Sequence, residues 1–394
     1  MSDPADRDWA PPDPGAVNRR PERAEPSPES AAPRPPAGAY PAPYPYQYGQ
    51  YGPQPPFVRG QWTVPTPAGS PYHRMARTGA HRWWRPLVGT VAILVGGFAM
   101  VLVLGVVALI VSSLITGEQP NLEGTGDSIL GNELADLGLN LATLAVFLPF
   151  ALLVPWLVQR RRPGTVSSVV GRLRWRWLLV CAGLAIAFCA VSFGTSWLAD
   201  LAVDDPAEAN ERWVGWGRFL AAAAVIIPLV PFQASAEEYV FRGWLLQAVG
   251  ACTLETARGR IGRALSVVFR TPWPGIVVGG ALFTSGHGYT GWGILDIFAF
   301  GVIAGWITVR SGGLEASIAL HVFNNFLAFL APAAVGRLDI VQGAVPWQYV
   351  VADVVPMILY AVGVLWLVRR LGIETTVPGP AEAEPEPIPA ASGH

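Results

Sequence analysis

Two carboxylates, an arginine, two histidines and an asparagine stand in three short clusters between residues 237 and 325, each inside an otherwise apolar run. The first cluster is Glu237-Glu238-Tyr239-Val240-Phe241-Arg242. On a helix, Glu238 and Arg242 are i, i+4 neighbours in the favourable Glu-before-Arg order and are expected to neutralise each other. Glu237 then lies about 100° round the helix, without a local counter-charge, where it suits the work of a general base. The second cluster, Phe283-Thr284-Ser285-Gly286-His287, puts a histidine at the end of a run whose Gly279, Gly280 and Ala281 would let another helix approach closely. In the third, His321 and Asn325 stand one turn apart on one face.

Together Glu237, His287, His321 and Asn325 offer a base, a water-orienting imidazole and two groups able to stabilise an oxyanion, the minimum for hydrolysing an amide. Of five histidines, His73 and His81 precede the apolar runs and His394 ends the chain, so the two inside the runs are the two in the clusters. Taken singly, Glu238–Arg242 reads first as a structural ion pair, and either histidine as an interhelix hydrogen bond. The coincidence of all three clusters points to chemistry. Ser285 lacks the strand–turn–helix elbow of a nucleophilic serine, and Cys252 lies in an arginine-rich loop. A metal-free site is preferred; a zinc site would take Glu237, His287 and His321 and keep one position open. Asp296 and Asp353, near the ends of their runs, are expected to have no role beyond packing or helix-end electrostatics.

The elements that position these residues follow from composition. The 394 residues are 52 % hydrophobic and 14 % charged, with a mean hydropathy of +0.37, where a soluble domain carries about 25 % charged residues. An ordinary soluble enzyme is nearly excluded. With 27 basic and 28 acidic residues the net charge is −1, which gives nucleic-acid binding no support. All the basic residues are arginine, which excludes lysine Schiff-base chemistry and suggests a GC-rich bacterial source. The three cysteines fit no disulfide framework.

Apolar runs at about 87–115, 138–158, 177–198, 218–249, 274–288, 292–310, 314–334 and 347–368 are of bilayer-spanning length. The expected fold is therefore all-α: a polytopic transmembrane bundle of about eight spans over 85–371, the fourth run being long enough to tilt, to kink at Pro228 or Pro231, or to run on past the membrane surface. Arginines fill the segments before the first span and in alternate loops, including Arg160, Arg161, Arg162 and Arg172, whereas 118–136 and 200–211 are acid-rich. Both termini are thus expected in the cytoplasm, in the plasma membrane. Residues 1–84 hold 19 of the 37 prolines and are expected to form a disordered Pro/Tyr-rich tail, with 372–394 a disordered acidic one. The polar N-terminus has no signal-peptide pattern, so internal segments are expected to drive insertion.

The order E-E-x-x-x-R, F-x-x-x-H, H-x-x-x-N on successive hydrophobic helices resembles the CPBP family of intramembrane endopeptidases, which includes CAAX prenyl proteases and bacteriocin-processing (Abi-type) relatives. The resemblance covers about residues 218–330. It implies that Glu237 activates water, His287 helps to hold it, His321 and Asn325 bind the oxyanion, and Glu238 and Arg242 support them. It implies cleavage of a membrane-associated peptide or protein at the bilayer. Two other readings remain open: a proton-coupled transporter that uses the Glu/His set as a relay, and an anchored scaffold whose N-terminal tail recruits a cytoplasmic partner.

Overall fold

The computed structural model describes residues 61–117, 128–203, 212–255, 257–339 and 342–379. The tails expected over 1–60 and 380–394, with any partner of the first, lie outside the described residues, as do the acidic stretches 118–127 and 204–211.

Helix α1 (Trp84–Thr116) is followed by α2 (Glu133–Ala145) and α3 (Phe147–Leu157), which together make one span, and by α4 (Trp175–Asp200). Then α5 (Trp216–Glu238) passes into a π-helical stretch, Tyr239–Leu245, and α6 (Leu246–Gly250). This continuous segment measures about 52 Å at 1.5 Å per residue, more than the roughly 30 Å of hydrocarbon. Both prolines stay inside α5, and the irregularity falls instead at the π stretch. After α7 (Gly259–Phe269) and α8 (Trp273–Ser285), a two-residue strand β1 (Thr290–Gly291) precedes α9 (Trp292–Ser311) and α10 (Glu315–Ala334). A second strand, β2 (Ala344–Val345), pairs parallel with β1 ahead of α11 (Trp347–Leu371).

Among the described residues seven segments are long and apolar enough to cross a bilayer. The span expected at 274–288 corresponds to α8, whose 13 residues reach only about 20 Å; it joins α7 at a 73° bend, and the pair counts as an eighth crossing only if taken together. Large apolar side chains on the outer faces, such as Leu102, Leu114 and Phe193, are exposed in the protein alone. Lipid must cover such a surface, and the chain is a multi-pass membrane protein.

Inside, α5 packs between α2 and α10, while α4, α9 and α11 close a second core around Phe188, Phe300 and Tyr360. The expected close approach at Gly280 is present: a Cβ on Gly301 of α9 would stand 2.9 Å from the Gly280 Cα. Bulk at Gly301 would push α9 away from α8. Arg174 before α4 forks onto Glu315 at the start of α10, with Nε to Oε1 at 2.9 Å and Nη2 to Oε2 at 2.7 Å.

The boundaries expected for the tails are corrected by residues 61–84 and 372–379. The first segment is a strap: Val64 N donates to Arg160 O at 2.7 Å, and Ser70 and Val377 are joined by a backbone hydrogen bond of 2.9 Å. Tyr72 is fully buried and its hydroxyl donates to Val166 O. Arg74 Nη2 donates to Arg270 O at 2.7 Å. The proline content that suggested disorder supplies extended backbone here, and one buried aromatic ring anchors it. Beneath the strap, fully buried Arg161 pairs with no carboxylate among the described residues; Gln159, Thr165 and Gln247 accept from it. Burial pushes its guanidinium down to about 10, so it stays charged at neutral pH.

Tyr72→Ala should cost about 3–5 kcal/mol and Tyr72→Phe about 1 kcal/mol, read as graded falls in the melting midpoint in detergent; equal midpoints would mean that the strap contributes nothing. Burial, and then the charge of Arg74, push the His73 imidazole from 6.5 down to about 4. The unfolded chain therefore binds the extra proton in that window, and the folded state loses stability as pH falls from about 6.5 towards 4. His73→Asn should flatten that part of the melting-midpoint profile against pH.

Candidate active site

Glu238 is the last residue of α5, and the wider turn that follows brings Arg242 back beneath it. Both are buried, and Arg242 Nη1 lies 3.0 Å from Glu238 Oε1. The expected local pair is therefore formed. The guanidinium also lies over the Phe283 ring at 4.1 Å and near Phe300 at 5.4 Å, so the phenylalanine of the second cluster serves as an aromatic platform for the cation.

Helix α10 delivers His321 into the cleft between the two glutamates. Its Nδ1 stands 2.8 Å from Glu238 Oε1 and its Nε2 3.3 Å from Glu237 Oε2. A carboxylate only accepts when ionised, so Nδ1 carries the proton towards Glu238, which fixes the ring as the orienting acid fixes histidine in a catalytic triad. The two glutamates differ in access. The Glu237 side chain retains 12 % exposure and that of Glu238 none, so solvent and substrate can reach only the first.

Glu237 has a further partner, absent from the sequence expectation. Gln233 Nε2 donates to Glu237 Oε2 at 2.9 Å, and Gln233 Oε1 accepts from Asn325 Nδ2, also at 2.9 Å. Gln233 is itself buried. An amide in an apolar run exactly one turn (i−4) before a glutamate was the available signal. Its two bonds set the rotamer of Glu237 and the flip of the Asn325 amide together, leaving the second Asn325 N–H free to donate elsewhere.

His287 is not bonded to these groups. It sits past the end of α8, half-buried, with Nδ1 2.8 Å from Phe283 O. A carbonyl only accepts, so Nδ1 is protonated and Nε2 presents a lone pair. The ring packs against Phe283 at 4.5 Å between centroids, and His321 meets the same phenylalanine at 5.8 Å. Thus Glu237, Glu238, Arg242, His321 and Asn325 form one network with Gln233, and His287 adjoins it across one aromatic ring.

Among the described residues no group of three or more His, Cys, Asp or Glu is placed to hold a metal ion. His321 faces a carboxylate at each nitrogen, and His287 turns one nitrogen to the backbone. Asp296 and Asp353 also depart from expectation: rather than sitting singly at helix ends, their side chains hydrogen-bond to each other between α9 and α11.

Residues 216–327, which hold the whole network, match the family profile described as type II CAAX prenyl endopeptidase Rce1-like. The uncharacterized protein YyaK of Bacillus subtilis (strain 168) is 26 % identical over 262 residues, covering 65 % of this chain and 80 % of that protein. No solved structure matches. The motif order, the helices that carry it and this match agree: within a multi-pass membrane protein, residues 216–327 are similar to the Rce1-like type II CAAX prenyl endopeptidases, a similarity that points to a protease.

Proposed function

We propose that the chain is an intramembrane endopeptidase that hydrolyses a peptide bond in a membrane-associated peptide or protein with a water activated by Glu237. The observation that carries this reading is the Asn325–Gln233–Glu237–His321 network, in which one glutamate is locked in place yet open to solvent. A water donating one hydrogen to Glu237 and the other to His287 Nε2 is held for attack. Glu237 takes its proton as the oxygen adds to the carbonyl carbon, and the carbonyl π pair becomes an oxyanion. The free N–H of Asn325 stabilises that oxygen, joined by His321 once its Nε2 carries a proton. When the intermediate collapses, the C–N bond breaks and Glu237 returns the proton to the departing nitrogen.

Glu238 and Arg242 do not touch the reacting atoms in this scheme; they position His321 and offset its charge. The scheme needs no metal. The arginine-rich loops and the counting of α7–α8 as one crossing support both termini in the cytoplasm and residence in the plasma membrane. A bacterial source makes a processed peptide, toxin or membrane protein the expected substrate class.

Cleavage of a quenched peptide library by purified protein tests the reading. Glu237→Gln should lower kcat on the order of 10²–10⁴-fold with the folded yield intact; full activity in that variant would sink the assignment. Stoichiometric metal with chelator-sensitive cleavage would overturn the metal-free scheme, and proton flux in liposomes without cleavage would favour a transporter. Gln233→Leu should lower kcat by as much as about 10²-fold with KM little changed, because it removes orientation rather than substrate contacts. Glu238→Ala leaves Arg242 and His321 unpaired in the interior and should cost about 3–5 kcal/mol, seen as lost monodisperse protein in detergent.

A further inference from the structure

Asp296 on the second turn of α9 and Asp353 on the second turn of α11 are two carboxyl groups in hydrogen-bond contact inside the helical bundle. Asp296 is only 8 % exposed, and its Oδ1 is buried with no hydrogen-bond partner. Among the described residues no arginine or histidine pairs with either carboxyl group; the other titratable group facing them is the Tyr289 phenol, from the turn that leads into α9. A hydrogen bond between two carboxyls requires a proton between them, so the empty pair holds one proton and one negative charge. An uncompensated charge at membrane depth is costly and calls for a partner.

The pair adjoins the catalytic network. Asp296 lies one turn before Phe300, whose ring meets the His321 ring at 4.9 Å, and the Tyr289 ring stacks on His287 at 6.3 Å. The exposed Gly286, Gly288 and Thr290 flank this turn and leave its outer side open. We infer that Asp296 and Asp353 form a subsite for a cationic group of the substrate, the ammonium or guanidinium of a basic side chain or an N-terminal amine. This inference rests on the peptidase reading. On binding, the cation donates to the orphan Oδ1 and replaces the shared proton, which leaves to solvent. A guanidinium, with its planar fork of donors, matches two carboxylates better than a bare metal ion lacking a third ligand.

The test uses the full-length protein and peptides that carry arginine, or its neutral isostere citrulline, at each position flanking the cleaved bond. Wild type should show at least a tenfold preference in kcat/KM for arginine at one position, and Asp296→Asn and Asp353→Asn, which keep the side-chain shape, should each abolish the preference. Binding of the same peptides to Glu237→Gln protein, read by thermal shift, separates this inference from the peptidase reading. Arginine-selective binding that is lost when either aspartate is replaced supports the subsite even if no peptide is cleaved. Equal cleavage and equal binding of the two peptide series, or a preference that survives both asparagine variants, would overturn it.

Discussion

Glu238 is the residue on which the rest of the site depends. It is wholly buried, and one of its oxygens touches both the guanidinium of Arg242, on its own helix, and the imidazole of His321, on α10. A carboxylate in such surroundings is tolerable only with its partners in place, and the partners only with it. That mutual dependence ties α5, the π stretch and α10 into one arrangement. It also separates the roles of two adjacent glutamates: the one with ionic partners at closest range is structural, and its neighbour, one step round the helix and open to solvent, is left for chemistry.

The same constraint, that a charge away from water must be answered, is met differently elsewhere. At the arginine-rich side, Arg174 and Glu315 meet through a two-pronged fork that fixes where α10 begins, and so the depth at which His321 and Asn325 enter the site. Arg161 is answered by neutral amide and hydroxyl oxygens beneath the strap. Asp296 and Asp353 answer each other only in part, which makes them the exception among the buried charges and a place where a ligand can complete the balance.

Much of this was legible in the sequence, for physical reasons that also mark its limits. The apolar runs announce their helices, because a bilayer demands about twenty residues whatever the tertiary packing. The i, i+4 pair Glu238–Arg242 and the one-turn spacing of His321 and Asn325 are local, and local geometry carries into the fold. What the sequence did not disclose is contact between distant segments. Gln233 is unremarkable until Asn325 arrives from α10, and Asp296 and Asp353 look like helix-end residues until α9 and α11 bring them together. The strap shows the opposite error. Proline-rich composition suggested disorder through residue 84, whereas Tyr72 buries one ring, and the backbone pairing of residues 69–71 with 376 and 377 needs no regular pattern to form.

The placement of His287 bears on how the site works. The network around Glu237 is closed by hydrogen bonds within the protein itself, so the Glu237 carboxylate and the Asn325 amide are held in place. His287 is bonded only to its own turn, and stands in an exposed loop between α8 and α9. Its tautomer is set by the Phe283 carbonyl, but its distance to Glu237 depends on the packing of α8 on the π stretch, where a Cβ on Gly279 would lie 3.0 Å from Phe241 O. The water that both residues are proposed to hold thus joins a rigid half to a half whose place depends on how α8 packs on its neighbours.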